Sequence, residues 1–498
     1  MSHPTHPLPS ANSLPTACSA AKTASAFLLP AILMTVTLSG PAFAQTTNNQ
    51  TTQDTITQTE DTFPPEIDNT LDETVDQTEI VQPAATITAQ PPSLEDQMGA
   101  ARRTNIRADV VEPNLRPAIE VDPYEPIGFR IGSFNLTTTI EQSMGYTTNR
   151  QNTADGDSGL VSQSIANFRL RSDWSRHSLE VLGNGQYDTS FESQIEPSPS
   201  AQIEGRLRLD LIDGYEVTLG AGYDYEQEAA SSVNLTQSTV GEPGIHSYGA
   251  FAQVERSGHR LGFILRGGIE RKIYENAQLA SGGTFSQTDR DLTSYILQSR
   301  LSYNNNLAFS PFVQANYTTN IYDLHRDRNG QQRDSTSFEL RGGFVVNLSE
   351  KLVGEISAGY INQQFAEPGL VALSGMVIDS NINWSPQRDT NIELTLASDL
   401  ASSTNSGDSG AITYQGGLRL TRRIRDNLEL NAAIGFEHTN YEGLGQIDTT
   451  YNARLGFEHW FNRSLSLTGR VAYETKVSTN EASSYDDATV LLGVKFQR

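Results

Sequence analysis

Apolar and polar residues alternate over long stretches of the chain. Ile392, Leu394 and Leu396 are separated by single, mostly polar residues, and 201–212 and 427–438 show the same pattern. Successive side chains of a β-strand point to opposite faces, so a period of two predicts strands. Each predicted strand has one apolar face and one polar face.

This alternation places eighteen strands along the chain. Because the number is even, the chain ends on the side of the sheet where the first strand begins. Boundaries near 274–292 and 365–378 are blurred, which leaves sixteen strands as the alternative count. The predicted strands are 133–146, 164–174, 177–188, 201–212, 214–226, 246–256, 259–273, 293–303, 309–322, 336–348, 351–364, 372–384, 390–400, 411–422, 427–438, 449–461, 464–476 and 486–497.

The predicted connections alternate in length. Tight turns such as 175–176 and 462–463 are followed by longer loops such as 147–163 and 227–245. Short turns on one side and long loops on the other are typical of an outer-membrane barrel whose short turns face the periplasm. The predicted fold is therefore all-β, a transmembrane antiparallel up-and-down β-barrel of about 18 strands.

Aromatic residues support this fold, because rings concentrate at membrane interfaces. Many tyrosines lie at the long-loop ends of predicted strands, whereas Trp174, Trp384 and Trp460 lie beside short turns. A soluble β-sandwich also has alternating strands, but it does not explain this segregation. Two aromatic girdles are predicted.

The N-terminal segment has the layout of a secretory signal peptide. Lys22 precedes an apolar run at 26–40, and a small-residue motif ends at Ala44. We therefore expect residues 1–44 to be a signal peptide cleaved after Ala44. Since Cys18 is the only cysteine, the mature chain would contain none and would use no disulfide or thiol chemistry.

Residues 45–126 are polar, acidic and rich in proline. They contain sixteen Asp and Glu residues against four arginines, and too few apolar residues to offset the entropy of ordering. We expect a disordered periplasmic linker before the barrel at 127–498. It is either a solvated tail or a tether or plug that contacts a periplasmic partner.

The net charge of −24 and the lack of basic runs argue against nucleic-acid binding.

The junction DPYEPIGFRIGSF at 122–134 and the motif MGYTTN at 144–149 resemble the start of the outer-membrane beta-barrel porin family of Gram-negative bacteria. The resemblance extends over the barrel. It implies an outer-membrane location and a porin-like barrel, but no defined substrate and no catalytic residues. The expected partners are outer-membrane lipid, lipopolysaccharide and the barrel assembly machinery. Phe496, two positions before the end, keeps the lipid-facing phase of the last strand, although such barrels commonly end on an aromatic residue.

A barrel of eighteen strands is too wide for its own side chains to fill, so the interior should hold water. We expect passive diffusion of small hydrophilic solutes. The alternative is an export or envelope-scaffold component, for example in polysaccharide export. The second and fourth strands carry four arginines as a candidate basic patch, although inward charges also stiffen a wall by hydrogen bonding. The candidate pore-lining residues are Arg169, Arg171, Glu204, Arg206, Arg208, Arg266, Glu339, Arg341, Glu393, Arg419, Arg454 and Arg470.

The sequence evidence for an enzyme is weaker than that for a channel. The fragment GDSG at 156–159 and 407–410 occurs around some serine nucleophiles, but both copies fall in predicted loops, where Gly, Asp and Ser are ordinary turn residues. His325, between Asp323 and Asp327, is the nearest candidate base. The pair at 155 and 157 lacks the ligand set of a calcium loop. We predict no enzyme, no cofactor and no metal.

Overall fold

The computed structural model describes residues 123–498, which belong to the second of two units, Val81–Arg498. The predicted signal peptide and nearly all of the predicted linker lie outside the described residues. The description omits 155, 192–196, 213, 229–231, 233, 236–238, 258–259, 305–307, 350, 402, 404–407 and 444.

Eighteen long strands form the structure, and each follows an alternating stretch of the sequence. They are β1 (Phe134–Thr147), β2 (Gly159–Ser172), β3 (His177–Ser190), β4 (Ser198–Asp210), β5 (Tyr215–Gln227), β6 (Gly244–Arg256), β7 (Leu261–Tyr274), β8 (Leu292–Tyr303), β9 (Phe309–Tyr322), β10 (Ser335–Ser349), β11 (Leu352–Phe365), β12 (Leu373–Gln387), β13 (Thr390–Ala401), β14 (Gly410–Arg425), β15 (Leu428–Glu442), β16 (Ile447–Asn462), β17 (Leu465–Ser478) and β18 (Tyr485–Gln497).

Each strand pairs antiparallel with the next, and the first pairs with the last. The β1–β18 pairing runs from Thr147 opposite Thr489 to Thr139 opposite Gln497. This seam closes the sheet into a barrel and removes its edges, so every strand has a backbone partner on both sides. The predicted fold and the predicted count of eighteen strands are confirmed.

Smaller elements lie at the two rims. A short strand, Phe129–Ile131, pairs with the start of β1. At the other rim, Thr239–Val240, Ala277–Leu279 and Thr284–Phe285 form a small three-stranded sheet between loops. Two single-turn 3-10 helices, Thr288–Arg290 and Glu481–Ser483, are also present. Within the described residues, no helix is long and apolar enough to cross a membrane.

The two ends of the barrel differ. Connections at one end are tight, such as 426–427 between β14 and β15, and this is called the short-turn end. Connections at the other end include 228–243, 275–291 and 323–334, and this is called the long-loop end. The described chain begins at the short-turn end, as the even strand count requires.

The outer wall is apolar. Large exposed hydrophobic side chains stand on it in most strands, among them Leu455 at 64% exposure and Phe496 at 57%. A soluble protein rarely exposes a continuous apolar surface of this extent, whereas the lipid-facing band of a membrane barrel requires it. The prediction that Phe496 faces lipid agrees with its exposure.

Glycine and aromatic residues fit together across neighbouring strands. On the outer wall, the ring of Phe168 covers Gly183, where an added Cβ would come within 2.0 Å of the ring. On the inner wall, Phe251 covers Gly220 in the same way. Such pairs let the ring lie flat over the neighbouring strand, which stabilises a sheet that glycine alone would weaken.

The structure differs from the sequence prediction in detail. Several strands are longer at the long-loop end: β2 starts at Gly159 rather than 164, and β4 at Ser198 rather than 201. Backbone pairing extends there through residues 159–163 and 198–200, which do not alternate regularly between apolar and polar. Trp460 departs from the predicted girdle because it faces the interior, in phase with Arg454 and Glu458, and is only 8% exposed.

Candidate transport lumen

One large cavity occupies the barrel interior, with a volume of about 1870 Å³. At the short-turn end it is lined by Glu125 and Ile127, and at the long-loop end by Glu228, Asn234 and Arg290. Between the rims, its wall consists of the inward positions of the strands. The cavity therefore extends along the barrel from one rim to the other.

The inner wall is braced by buried ion pairs. Arg300 on β8 reaches Glu355 on β11 through two hydrogen bonds of 2.7 and 2.9 Å. Its guanidinium lies 3.5 Å from the ring centre of Phe312 on β9, the first of the two strands between them. Gly343 leaves the space for that ring, since a Cβ there would lie 2.6 Å from it. The pair thus spans two strands without projecting into the lumen.

The structure places all twelve candidate pore-lining residues on the inner face of their strands. Half of them line the cavity itself, and the others lie along the wall against neighbouring groups. Those along the wall include Arg266, stacked 3.3 Å over the Phe251 ring centre, and Arg470, which donates a 3.0 Å hydrogen bond to Gln163. The cavity-lining members are Arg169, Arg171, Glu204, Glu339, Glu393 and Arg419; the wall members are Arg206, Arg208, Arg266, Arg341, Arg454 and Arg470.

The candidate basic patch on β2 and β4 is compensated by acidic neighbours. Arg169 donates a 2.6 Å hydrogen bond to Glu180 on the strand between them. Arg206 pairs with Glu204 at 2.7 Å. Arg208 lies 2.9 Å from Asp210 on its own strand and 2.9 Å from Glu216 on β5. The patch therefore carries little net charge. The sequence prediction took the four arginines of β2 and β4 as a patch without pairing them with the carboxylates beside them, Glu180, Glu204, Asp210 and Glu216.

Ion pairs also connect the long loops to one another. Arg290 in loop 275–291 binds Glu228, at the start of loop 228–243, through hydrogen bonds of 2.6 and 2.9 Å. Both side chains are buried, and the guanidinium lies 4.0 Å from the ring centre of Tyr274. This contact holds the described part of loop 228–243 at the cavity wall, where Asn234 lines the lumen.

The next contact joins loop 275–291 to loop 323–334. Arg328 binds the Asp289 carboxylate through two side-chain hydrogen bonds of 2.7 Å. Burial by itself raises the pKa of Asp289, but the hydrogen bonds from Arg328 outweigh burial and lower that pKa below the ordinary value. Asp289 is therefore ionised at neutral pH and keeps the two loops together.

Arg333 joins loop 323–334 to the loop after β13. Its side chain is 1% exposed and binds the buried Asp327 carboxylate at 2.7 Å. It also donates hydrogen bonds to the backbone carbonyl oxygens of Ser403, at 2.7 Å, and Asp408. These contacts complete a loop network that runs from loop 228–243 to the loop between β13 and β14.

The short-turn end has an anchor of its own. Tyr124 stacks on Trp460, with ring centres 5.6 Å apart. Gln497 donates a hydrogen bond to the Tyr124 carbonyl oxygen, and Arg463 donates one of 2.8 Å to that of Pro123. The last residues of the predicted linker are thus fixed to the barrel, because the Tyr124 ring packs on Trp460 and the carbonyl oxygens of Pro123 and Tyr124 accept hydrogen bonds from barrel residues.

The sequence candidates for catalysis do not form a triad. Ser158 accepts a 2.8 Å hydrogen bond from Tyr146, and Ser409 is buried with its backbone N–H bonded to Glu442. His325 is exposed, and the neighbouring Asp323 pairs with Arg271. Position 155, the first of the weak calcium pair, lies outside the described residues. Across 123–498, apart from the gaps named above, no three His, Cys, Asp or Glu side chains are grouped as metal ligands.

Several charged residues of the lumen were missed from the sequence. Asp224 and Glu226 continue the inward phase of β5, and Lys272 continues that of β7, so extending the alternation would have found them. Arg290 and Glu228 lie in loops or at their edge, where no periodicity gives an orientation. Only the folded structure brings these two residues together.

A closed barrel with an apolar outer wall, a polar lumen and short turns at one end belongs to the class of porin-like outer-membrane barrels. A family profile described as "Putative beta-barrel porin 2" matches residues 122–498. The chain belongs to this family, as the resemblance of its first barrel residues predicted. Membership implies an outer-membrane location, so the long-loop end is extracellular.

The chain is similar to several solved structures, three of which follow. The outer membrane protein opdK of Pseudomonas aeruginosa is 10% identical, with 73% of this chain and 99% of that chain covered and a TM-score of 0.37. OccAB4 of Acinetobacter baumannii is 9% identical, with 76% and 99% covered and a TM-score of 0.38. The siderophore receptor PirA of P. aeruginosa is 9% identical, with 73% and 80% covered and a TM-score of 0.35. No functionally curated protein matches the chain.

Proposed function

We propose that the protein is an outer-membrane channel through which small hydrophilic solutes diffuse passively. The observation that carries this proposal is the cavity of about 1870 Å³ that extends from one rim to the other. Its wall carries carboxylates, guanidinium groups, amides and hydroxyl groups, which suit water and hydrated solutes. The twelve inward charges predicted from the sequence belong to this pore wall in the proposal.

The proposal includes the steps that bring the chain to the membrane. The signal peptide is cleaved after Ala44, the assembly machinery inserts the barrel, and the outer wall contacts lipid and lipopolysaccharide. It assigns the protein no catalytic step, because Ser158 is bound by Tyr146, Ser409 is buried and Asp323 is held by Arg271.

Liposome swelling with neutral sugars of increasing size tests the proposal. Reconstituted protein should admit small sugars quickly and exclude large ones. Thr318 on β9 lines the lumen, whereas its neighbour Thr319 faces lipid, which gives a matched pair of variants. Thr318→Trp should slow swelling, and Thr319→Trp should leave it unchanged. No swelling by folded wild-type protein, or equal slowing by both variants, would refute the proposal.

A second function, an export or scaffold component, is favoured by the anchor at the short-turn end. The contacts of Tyr124 with Trp460 and Gln497 fix the described end of the predicted linker at the short-turn end of the barrel. In this alternative, the acidic segment 45–122 binds a periplasmic partner there. Affinity capture from periplasmic extract with the full mature chain, compared with a chain lacking 45–122, tests it. Equal capture by both chains would rule it out.

A further inference from the structure

One stretch of the barrel wall lacks the regular backbone ladder. In the described strands, the pairing between β12 and β13 ends toward the extracellular side at Ser380 opposite Leu396. Beyond that point, residues 373–379 of β12 stay paired with β11, and residues 397–401 of β13 stay paired with β14. These two segments, which are not paired with each other, are called the β12–β13 gap.

Side-chain hydroxyl groups take the place of the ladder in this gap. Ser398 Oγ accepts a 2.9 Å hydrogen bond from the Ile378 backbone N–H and donates one of 3.1 Å to the Ile378 carbonyl oxygen. The Tyr414 hydroxyl, on β14, donates a 2.9 Å hydrogen bond to the Met376 carbonyl oxygen. Backbone groups at a strand edge in a membrane must find partners within the protein, because lipid offers none. Two hydroxyl groups therefore close the gap.

The extracellular end of β13 is displaced toward the lumen. Four consecutive residues, 397–400, line the cavity, whereas a regular strand turns only alternate side chains to one face. Asp399 interacts electrostatically with Lys272 on β7, a distant strand of the wall. Side chains of β14 reach past β13 to β12, since a Cβ added at Gly375 would lie 2.7 Å from Ile412 Cδ1. The strand therefore leaves the plane of the wall at the gap.

Apolar side chains flank the gap on both faces of the wall. On the outer face, Met376 and Ile378 are exposed where the barrel meets lipid. On the inner face, the cavity lining carries an apolar patch beside the gap, which consists of Ile361, Val377, Ala397 and Leu400. An apolar chain that crosses the wall here meets apolar groups on both sides, while the polar groups of the lumen solvate a hydrophilic head.

We infer that the β12–β13 gap is a lateral portal, through which amphiphiles with a single apolar chain pass between the lumen and the outer leaflet of the membrane. This inference goes beyond the proposed diffusion of hydrophilic solutes. Elsewhere two strands part only if a ladder of backbone hydrogen bonds breaks, whereas this gap opens when Ser398 and Tyr414 release their partners. Since neighbouring strands lie about 4.8 Å apart, a small further separation admits one chain rather than two.

Quenching of a lumen tryptophan by dibromostearate, a brominated single-chain fatty acid, tests this inference. The full mature chain would be reconstituted in lipid nanodiscs, with the native tryptophans replaced by phenylalanine and Ile361→Trp as the reporter. Ile296→Trp is the matched control reporter, because Ile296 also lines the cavity but lies on β8, away from the gap. Dibromostearate should quench the reporter at 361 and leave the one at 296 much less affected.

The gap can be unlatched by conservative substitutions. Ser398→Ala together with Tyr414→Phe removes both hydroxyl groups and keeps the tyrosine ring. Quenching of Ile361→Trp should then become roughly tenfold faster, the order expected when hydrogen bonds of ordinary net strength are lost. An unchanged rate, or an equal change at Ile296→Trp, would refute the portal.

The gap can also be locked by a disulfide. Oxidation of Ile378→Cys with Ser398→Cys should abolish quenching at residue 361, and reduction should restore it, because the chain after residue 44 has no cysteine of its own. Ile382→Cys with Leu394→Cys bridges the regular part of the same ladder and should change nothing. Quenching that persists in the locked protein would refute the portal. Sugar permeation is measured separately, so the portal and the channel are refuted by different results.

Discussion

Arg333 offers the sharpest test of the loop network. Its guanidinium binds the Asp327 carboxylate, which is 0% exposed, and carbonyl oxygens beyond β13. The residue lies two positions before β10, which pairs with β9 from Ser335 to Val346 and with β11 from Ser335 to Ser349. Arg333→Ala should therefore release the loops and leave the barrel closed.

The magnitude follows from the burial of this pair. Removal of one partner from a buried ion pair typically costs about 3–5 kcal/mol, because the other charge is left without compensation. A change of about 1.4 kcal/mol is tenfold in an equilibrium, so local opening of loop 323–334 should become roughly 100- to 4,000-fold more frequent. Amide exchange reports this opening directly when reclosing is fast.

Hydrogen exchange with mass spectrometry on protein in lipid nanodiscs is the assay. Peptides that cover 323–334 and 408–412 should exchange faster by that factor in Arg333→Ala, while peptides from the middle of β10 remain protected. Arg326→Ala is the control. Arg326 is 57% exposed and lies 3.4 Å from Glu367, a surface pair worth at most about 1 kcal/mol. Unchanged exchange in Arg333→Ala, or an equal change in Arg326→Ala, would refute the role given to the buried arginine.

Two further predictions concern the rims. In variants that keep a single tryptophan, brominated lipid should quench the fluorescence of Trp384, which is 46% exposed on the outer wall, but not that of Trp460. Equal quenching of both would contradict the inward position of Trp460. Arg271 lowers the pKa of Asp323 by hydrogen bonding, so their contact persists at neutral pH and is lost as the pH falls through that lowered pKa. A spin label at Leu324→Cys should gain mobility only in strong acid, and Arg271→Met should make it mobile at neutral pH; a mobile label in the parent at neutral pH would contradict this.

The sequence predicted the barrel because its signal is redundant. Every strand repeats the same period of two, and a register error of one residue would place an entire apolar face in the lumen. Inward residues such as Arg169 and Glu393 therefore followed from phase alone. Strand ends such as Gly159 did not, since the residues that extend the strand there do not alternate between apolar and polar.

The properties of the lumen depend on contacts that are distant in sequence. Arg300 and Glu355 are 55 residues apart, and Arg333 and Asp408 are 75 apart. No local pattern specifies such pairs. The compensation of the arginines on β2 and β4, and the inward turn of Trp460 toward Tyr124, likewise depend on register and on the anchored junction.

Single-channel conductance of the refolded mature protein in planar bilayers tests the central claim most directly. The full mature chain and a chain that begins at residue 123 would be measured side by side, after heat-modifiable mobility has established folding. A lumen that connects both rims predicts stable, ohmic steps from the chain that begins at residue 123. Steps from this chain alone would make residues 45–122 a plug of an otherwise open channel. Silence from both folded forms would contradict the channel.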